Sequence, residues 1–145
     1  MTINRTAGHL NIDKIPASDI AKKFKTPCYV YSKLAIEHSF NQFKYAFEGR
    51  KNLICYAVKA NSNIAIINIL ARLGSGFDIV SGGELLRVLA AGGDPGKIVF
   101  SGVGKTTEEI DLALRKKIKC FNVESESELY RISDVAQKLN IRTRK

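Results

Sequence analysis

Residues 52–61 read Asn52-Leu53-Ile54-Cys55-Tyr56-Ala57-Val58-Lys59-Ala60-Asn61, an apolar run that ends on a lysine. Leu53 to Val58 has the length and composition of a buried strand in a parallel sheet. Lys59 then stands at the carboxyl end of this strand, the edge at which α/β proteins place their functional groups. Lys59 is therefore the first candidate for a functional residue.

Three further strand candidates follow the first at intervals of 20 to 24 residues, and each of the four is followed by a helical pattern. These strands begin at Phe77 (FDIV), Lys97 (KIVF) and Cys120 (CFNV), and the helices cover about 63–73, 82–91, 107–117 and 126–139. Alternation without hairpin turns predicts parallel strands joined by right-handed crossovers. Four such units fit a small open sheet or the first half of a (β/α)₈ barrel, since a whole barrel usually takes about 250 residues.

Three of these helices begin with the same pattern, a Ser or Thr followed three residues later by Glu. The pairs are Ser81 with Glu84, Thr106 with Glu109, and Ser125 with Glu128. In a capping box the hydroxyl accepts the N–H of the third residue, and the Glu side chain returns to the N–H of the cap. This gives Glu84 a structural role that the pattern favours over a catalytic one. Because each helix follows a strand, all the helix starts lie at the edge where Lys59 lies.

The first part of the chain is more polar. Residues 1–25 contain one predicted helix, from Ala17 or Ser18 to about Lys25, and Cys28 to Tyr31 is predicted to form a strand. Ser32 is a predicted N-cap for the next helix, which Gly49 closes. That helix carries an apolar stripe of four residues at helical spacing, Ile36, Phe40, Phe43 and Phe47.

The composition, 45% hydrophobic and 26% charged over 145 residues, is typical of a globular protein. No signal-like leader or membrane-spanning run is present, so we expect a cytoplasmic protein without a membrane partner. Cys28, Cys55 and Cys120 are too widely spaced for a zinc site, and we expect reduced, mostly buried thiols. His9 and His38 lack partners at metal-ligand spacing, so no metal site is expected.

The formal charge of +9 raises the possibility of nucleic-acid binding. The densest basic clusters, 115–119 and 142–145, lie at a predicted helix end and at the last residues of the sequence. Cations at a helix carboxyl end are explained by the helix dipole. We therefore expect no nucleic-acid partner.

A lysine at the end of a strand is suited to Schiff-base chemistry with an aldehyde cofactor such as pyridoxal phosphate. Position alone favours an idle lysine over a reactive one. Asp78 is the only acid within a predicted strand, and a carboxylate there is costly unless it meets a cation or hydrogen-bond donors. The pattern therefore predicts that Asp78 pairs with Lys59 or with a cofactor, or else that Asp78 faces outward.

Two glycine-containing segments are candidates for a phosphate-binding loop. One is Ser81-Gly82-Gly83, and the other is Ser101-Gly102-Val103-Gly104-Lys105-Thr106. The second ends like a P-loop, but that motif requires a glycine five residues before Gly104, where this chain has Val99. The sequence therefore excludes a P-loop nucleotide triphosphatase.

Three ordered segments together closely resemble the diaminopimelate decarboxylases: YAVKAN at 56–61, GFDIVSGGEL at 76–85 and IVFSGVGKT at 98–106. These are fold-type III pyridoxal-phosphate decarboxylases of the alanine racemase-like barrel group, related to the ornithine and arginine decarboxylases. The resemblance extends from about Thr26 to Asn140. It is far more specific than a single lysine.

The resemblance implies that residues 32–145 form part of a (β/α)₈ barrel that binds pyridoxal phosphate. Residues 1–31 would then belong to a second, β-rich domain. Lys59 matches the lysine that holds the cofactor, and Asp78 matches an acid close to that lysine and to the cofactor. Glu84 matches an acid at the barrel mouth of ornithine decarboxylases.

The implied activity is decarboxylation of meso-2,6-diaminopimelate to L-lysine and CO₂, a step of lysine biosynthesis, in a homodimeric enzyme. The later strands that complete the pocket are absent from the sequence, so the chain alone is expected to bind the cofactor weakly and to be inactive. The alternatives are an ornithine- or arginine-type decarboxylase and a non-catalytic fragment. Ala60 favours the diaminopimelate branch, since ornithine decarboxylases usually have cysteine there.

Overall fold

Two separate groups of secondary structure make up the chain, and they divide between Glu48 and Gly49. The computed structural model describes residues 3–6 and 8–141. In the first group, three antiparallel strands lie in the order β1-β2-β3. They are Ile3–Thr6, His9–Ile12 and Ile15–Pro16. The sequence did not predict this sheet, because its strands are short and polar.

A two-residue turn joins β2 to β3. Asp13 and Lys14 have φ angles of 48° and 72°, and Ile12 lies opposite Ile15 in the register. Positive φ at both central residues is what a tight hairpin turn requires, because it matches the twist of the flanking strands. The turn therefore explains how so short a sheet closes.

Helices follow in the first group much as predicted. Helix α1 covers Ala17–Phe24, and α2 covers Lys33–Ala46 with the Ser32 side chain accepting the N–H of Ala35. The strand predicted at Cys28 to Tyr31 is wrong: that segment pairs with no described strand, and Tyr29 is 92% exposed. Its alternating β-formers lack a neighbour with which to share backbone hydrogen bonds.

The second group is a four-stranded parallel sheet in the order β4-β5-β6-β7, with a helix after each strand, as predicted. The strands are Cys55–Ala57, Gly76–Ile79, Ile98–Phe100 and Cys120–Phe121. The helices α3 to α6 are Ile64–Arg72, Gly82–Ala90, Thr107–Arg115 and Glu126–Lys138. Short 3₁₀ turns cover Val58–Ala60 and Pro95–Lys97.

One face of this sheet forms the core. Four strand side chains, Phe77, Ile79, Ile98 and Phe100, are fully buried. Phe77 lies against the α4 region, since a Cβ added to Gly93 would come within 3.1 Å of its ring and 2.4 Å of Val88. Each fully buried side chain of this kind contributes about 1.5–3 kcal/mol. A second cluster joins α5 to α6 through Ile110, Leu114, Ile132, Val135 and Ala136.

The helices end in left-handed residues. Gly74 and Gly92 have φ angles of 87° and 83° and close α3 and α4, as predicted. Lys117 and Asn140 adopt the same conformation after α5 and α6, with φ angles of 56° and 52°. The last two stops were not predicted, because neither residue is glycine.

All three predicted capping boxes form the hydrogen bond to the cap hydroxyl, but only one forms the return bond from the glutamate. Each cap hydroxyl, of Ser81, Thr106 and Ser125, accepts the N–H three residues on at 3.2 Å. Only Glu109 returns to the N–H of its own cap, at 3.0 Å. Glu84 instead accepts the N–H of Val80 at 2.8 Å, and Glu128 bonds to Lys105. The prediction for these two glutamates is wrong, because nearby donors compete with the cap.

The thiols are less buried than predicted. Cys28 and Cys120 are exposed, Cys55 is half-buried, and all three are free. Cys120 lies in β7, which has one partner strand among the described residues. None of the described helices has the length and apolar content needed to cross a membrane. The domain boundary predicted between residues 31 and 32 stays a prediction.

Candidate functional site

Lys59 lies at the carboxyl edge of the parallel sheet, in the turn that follows β4. The strand ends at Ala57, so Lys59 belongs to the 3₁₀ turn rather than to the strand itself. Val58 is fully buried and anchors this turn. The Tyr56 hydroxyl donates to the Asn61 carbonyl at 3.1 Å and joins the two ends of the segment.

The Lys59 side chain is exposed. Over residues 3–6 and 8–141, it takes part in no hydrogen bond or ion pair. A primary amine in this state is available to a ligand. Most surface lysines share this property, so the surroundings of Lys59 must decide its role.

Asp78 lies in β5 opposite Ala57 of β4. Its strand neighbours Phe77 and Ile79 are fully buried in the core, whereas Asp78 is half-buried. Successive side chains of a strand point to opposite faces, so Asp78 lies on the other face of the sheet. It shares that face with its register partners Ala57 and Val99.

A hydroxyl donor, rather than a cation, binds the Asp78 carboxylate. The Ser101 hydroxyl donates to its Oδ1 at 2.5 Å, and the Asn122 amide donates to the Ser101 oxygen at 3.0 Å. Lys59 forms no ion pair with Asp78 within 4.0 Å. Of the two partners predicted for Asp78, Lys59 therefore forms no ion pair with it. The pairing of Asp78 with a cofactor stays a prediction. The Oδ2 atom has no partner within the described part of the chain.

A buried ion pair, Lys105 with Glu128, contacts the backbone of Asn122. Lys105 and Glu128 have side chains 0% and 6% exposed, with 2.7 Å between Nζ and Oε1. Nζ also donates to the carbonyls of Gly102 at 2.7 Å and Asn122 at 2.8 Å. Three acceptors satisfy all three ammonium protons. This side chain fixes the loops after β6 and β7.

In each candidate phosphate-binding loop, some of the donors are already bound to protein acceptors. The Gly82 N–H at the start of α4 donates to Glu109 Oε1 at 2.7 Å, and the Glu84 N–H donates to Ser81. In the second segment, Lys105 is buried among protein acceptors. These contacts support the exclusion of a P-loop triphosphatase.

Electrostatics link Cys55 to Asp78. The pKa of the Cys55 thiol is raised, first by burial and then by the negative charges of Asp78 and Cys120, while Lys119 lowers it. Asp78 is the register partner of Ala57. Cys55 lies two residues before Ala57 in the same strand, so Cys55 and Asp78 lie on the same face. The Asp78 carboxylate thus acts on the Cys55 thiol along the face of the sheet that both residues share. No cluster of potential metal ligands occurs in the part of the chain that the structure describes.

The site residues fit a pyridoxal cofactor in their chemistry. An aldehyde can condense with a free amine, which Lys59 provides, and a cationic ring or imine nitrogen is stabilised by a carboxylate with an available oxygen, which Asp78 provides. Sequence reasoning selected these two residues. It missed Ser101, Asn122 and the Lys105 ion pair, although Ser101 directly follows a predicted strand and Asn122 lies within one.

Comparisons with known proteins identify the family of this chain. The family model "Pyridoxal-dependent decarboxylase, pyridoxal binding domain" matches residues 33–144. Diaminopimelate decarboxylase of Vibrio cholerae is 57% identical over 93% of this chain, and that of Pseudomonas fluorescens is 54% identical over 96%. The chain spans about a third of these relatives, 32% and 34% of their lengths.

Solved structures agree with the fold. The structure of diaminopimelate decarboxylase from M. jannaschii in co-complex with L-lysine matches with a TM-score of 0.93 and 41% identity. The match covers 96% of this chain and 33% of that one. The parallel βα units seen here are thus the first part of a fold-type III barrel, as predicted.

Proposed function

This chain belongs to the pyridoxal-dependent decarboxylases, and on that premise we propose that it carries the cofactor lysine, Lys59, of a diaminopimelate decarboxylase. Pyridoxal phosphate is the cofactor of the family. The observation that supports the assignment of Lys59 is its free amine at the carboxyl edge of the sheet, in the turn that follows the register partner of Asp78. Asp78 is proposed as the second cofactor-binding residue.

The substrate is proposed to be meso-2,6-diaminopimelate, and the products L-lysine and CO₂. When bound, the cofactor supplies the electron sink for the electron pair that stays on the substrate carbon when CO₂ leaves. Lys59 would hold the cofactor at the carboxyl edge of the sheet. Asp78 supplies a negative charge, and the Ser101 hydroxyl fixes the orientation of its carboxylate. The Ser101 hydroxyl donates to that carboxylate, and the Asn122 amide donates to the Ser101 oxygen.

The relatives favour this substrate over the alternatives, since diaminopimelate decarboxylases match at 51–57% identity. An ornithine- or arginine-type decarboxylase is the second candidate within the family. A non-catalytic fragment with an idle Lys59 is the third. We also propose, from the family resemblance, that the complete enzyme is a cytoplasmic homodimer without a nucleic-acid partner, and that the chain alone is inactive.

Reductive trapping tests the assignment of Lys59. The chain is incubated with pyridoxal phosphate, treated with cyanoborohydride and digested, and pyridoxyl groups are located by mass spectrometry. We expect the label to concentrate on Lys59 at low cofactor concentration and to disappear in Lys59→Arg. Lys51→Arg is the matched control, because Lys51 is also exposed, and its trapping yield should equal that of the wild type. Labelling spread evenly over the exposed lysines would refute the assignment.

A further inference from the structure

The hydrogen bonds from Asn122 to Asp78 have a defined direction. An amide nitrogen can only donate, so the Asn122 Nδ2 atom, 3.0 Å from the Ser101 oxygen, uses that oxygen as an acceptor. A hydroxyl has a single proton. Ser101 directs this proton to Asp78 Oδ1. The two residues together thus present one fixed donor to the carboxylate.

The backbone beside both residues is fixed by a buried charge. The Lys105 ammonium donates to the carbonyl of Asn122 itself and to that of Gly102, the residue after Ser101. The Asn122 N–H donates to the Phe100 carbonyl at 2.9 Å, which continues the pairing of β7 with β6. An amide and a hydroxyl held in this way lose little further entropy when they orient a third group.

All three polar groups lie on the same face of the sheet. Val99 is the register partner of Asp78, and Cys120 is the register partner of Val99. Ser101 and Asn122 follow Val99 and Cys120 by two residues. Residues two apart in an extended strand share a face. Within residues 3–6 and 8–141, the helix that packs on Phe77 lies on the opposite face. The turn carrying Lys59 packs against β5, the strand of Asp78.

We propose that Ser101 and Asn122 are positioning residues for the Lys59 site and act through Asp78. The Ser101 hydroxyl holds Oδ1, which leaves Oδ2 to meet a donor or a positive charge of the bound cofactor. The Asn122 amide fixes the direction in which the hydroxyl donates. The inference rests on the proposed function, because it takes Lys59 as the residue that anchors pyridoxal phosphate.

Two replacements of Asn122 separate this role from simple packing. Asn122→Asp keeps the shape but replaces the donor by an acceptor, which competes with Asp78 for the single Ser101 proton. Asn122→Ala removes the amide but leaves the hydroxyl able to donate to Asp78. A packing role predicts that alanine is the more harmful change. The positioning role predicts that aspartate is more harmful.

The experiment measures the concentration of pyridoxal phosphate that half-saturates reductive trapping on Lys59. It compares the full chain with Asn122→Asp, Asn122→Ala, Ser101→Ala and the conservative Ser101→Thr. A hydrogen bond to a charged group contributes about 1.5–3 kcal/mol, so Ser101→Ala and Asn122→Asp should raise that concentration about tenfold or more. Ser101→Thr should stay close to the wild type. Unfolding by denaturant, followed by circular dichroism, reports the stability of each variant.

The outcomes distinguish the inference from the function on which it rests. If Lys59 is trapped in the wild type and Asn122→Asp needs more pyridoxal phosphate for half-saturation than Asn122→Ala, both the positioning role and the proposed function are supported. Trapping in the wild type with the reverse order, or with unchanged values in Asn122→Asp and Ser101→Ala, overturns the positioning role and leaves the proposed function standing. Absence of Lys59 trapping in the wild type overturns the proposed function, and the inference with it.

Discussion

Replacement of Lys105 by methionine tests how far the carboxyl edge of the sheet depends on one buried ammonium. Methionine has a similar length and keeps the apolar contacts of the stem. It removes the positive charge that faces Glu128 at 2.7 Å and the donor shared by the carbonyls of Gly102 and Asn122. The Glu128 carboxylate, 6% exposed, is then left without a cation.

The expected loss follows from this environment. Removal of one partner of a buried ion pair costs about 3–5 kcal/mol, because the remaining charge stays buried. For a chain of this length, the melting temperature should fall by roughly 10 °C. The double variant Lys105→Met with Glu128→Leu removes the stranded charge. It should recover at least about 2 kcal/mol, although two carbonyls still lack their donor.

Urea unfolding followed by circular dichroism measures these free energies. Lys138→Met is the matched control, because Lys138 is exposed on α6, and its stability should stay within about 0.5 kcal/mol of the wild type. The reasoning is refuted if Lys105→Met loses less than about 1 kcal/mol, as a surface pair would. It is also refuted if the double variant is no more stable than Lys105→Met.

Two further predictions concern packing and charge. Gly93→Ala should lose about 1–3 kcal/mol in the same assay, because its Cβ would lie 2.4 Å from Val88; Gly104→Ala, whose Cβ meets nothing within 4 Å, should be neutral, and equal losses would contradict the packing. The raised pKa of Cys55 lowers the thiolate fraction of this half-buried residue, and Cys28 and Cys120 are exposed, so iodoacetamide should label Cys55 more slowly than the other two cysteines. Asp78→Asn removes a negative charge that raises this pKa and should accelerate Cys55 labelling near pH 8; an unchanged rate would count against their proximity.

The βα units were predictable because each is specified by neighbouring residues. Apolar runs of four to six residues gave the strands, and hydroxyl residues gave the helix starts at Ser81, Thr106 and Ser125. Glycine stops gave the ends of α3 and α4. Such signals act within one turn of the chain, so no tertiary knowledge was needed.

The N-terminal segment shows the limit of such signals. Cys28 to Tyr31 has strand propensity but pairs with no described strand, whereas the polar β1 and β2 do pair. Strand formation depends on finding an edge to bond with, and composition does not reveal that edge. The same holds for the exposure of Cys28 and Cys120.

For the candidate site, the sequence selected Lys59 from its position at a strand end and Asp78 as the only acid within a predicted strand, both supported by a family resemblance. Ser101 and Asn122 were accessible to the same reasoning. Ser101 lies two residues beyond Val99, the register partner of Asp78, and Asn122 lies two residues beyond Cys120, the register partner of Val99. The Lys105–Glu128 pair was not predictable, because a lysine in a glycine-rich loop and a glutamate at a helix start both suggest solvent exposure. Their burial depends on how the loops after β6 and β7 pack together.

A chimeric enzyme tests the assignment of Lys59 most directly. This chain replaces the matching third of the Vibrio cholerae diaminopimelate decarboxylase, to which it is 57% identical, and CO₂ release is measured with meso-2,6-diaminopimelate and with ornithine. We predict CO₂ release from meso-2,6-diaminopimelate alone, abolished by Lys59→Ala in an equally folded chimera. Undiminished release in the Lys59→Ala chimera, or release from ornithine only, would contradict the assignment of Lys59 as the cofactor lysine of a diaminopimelate decarboxylase.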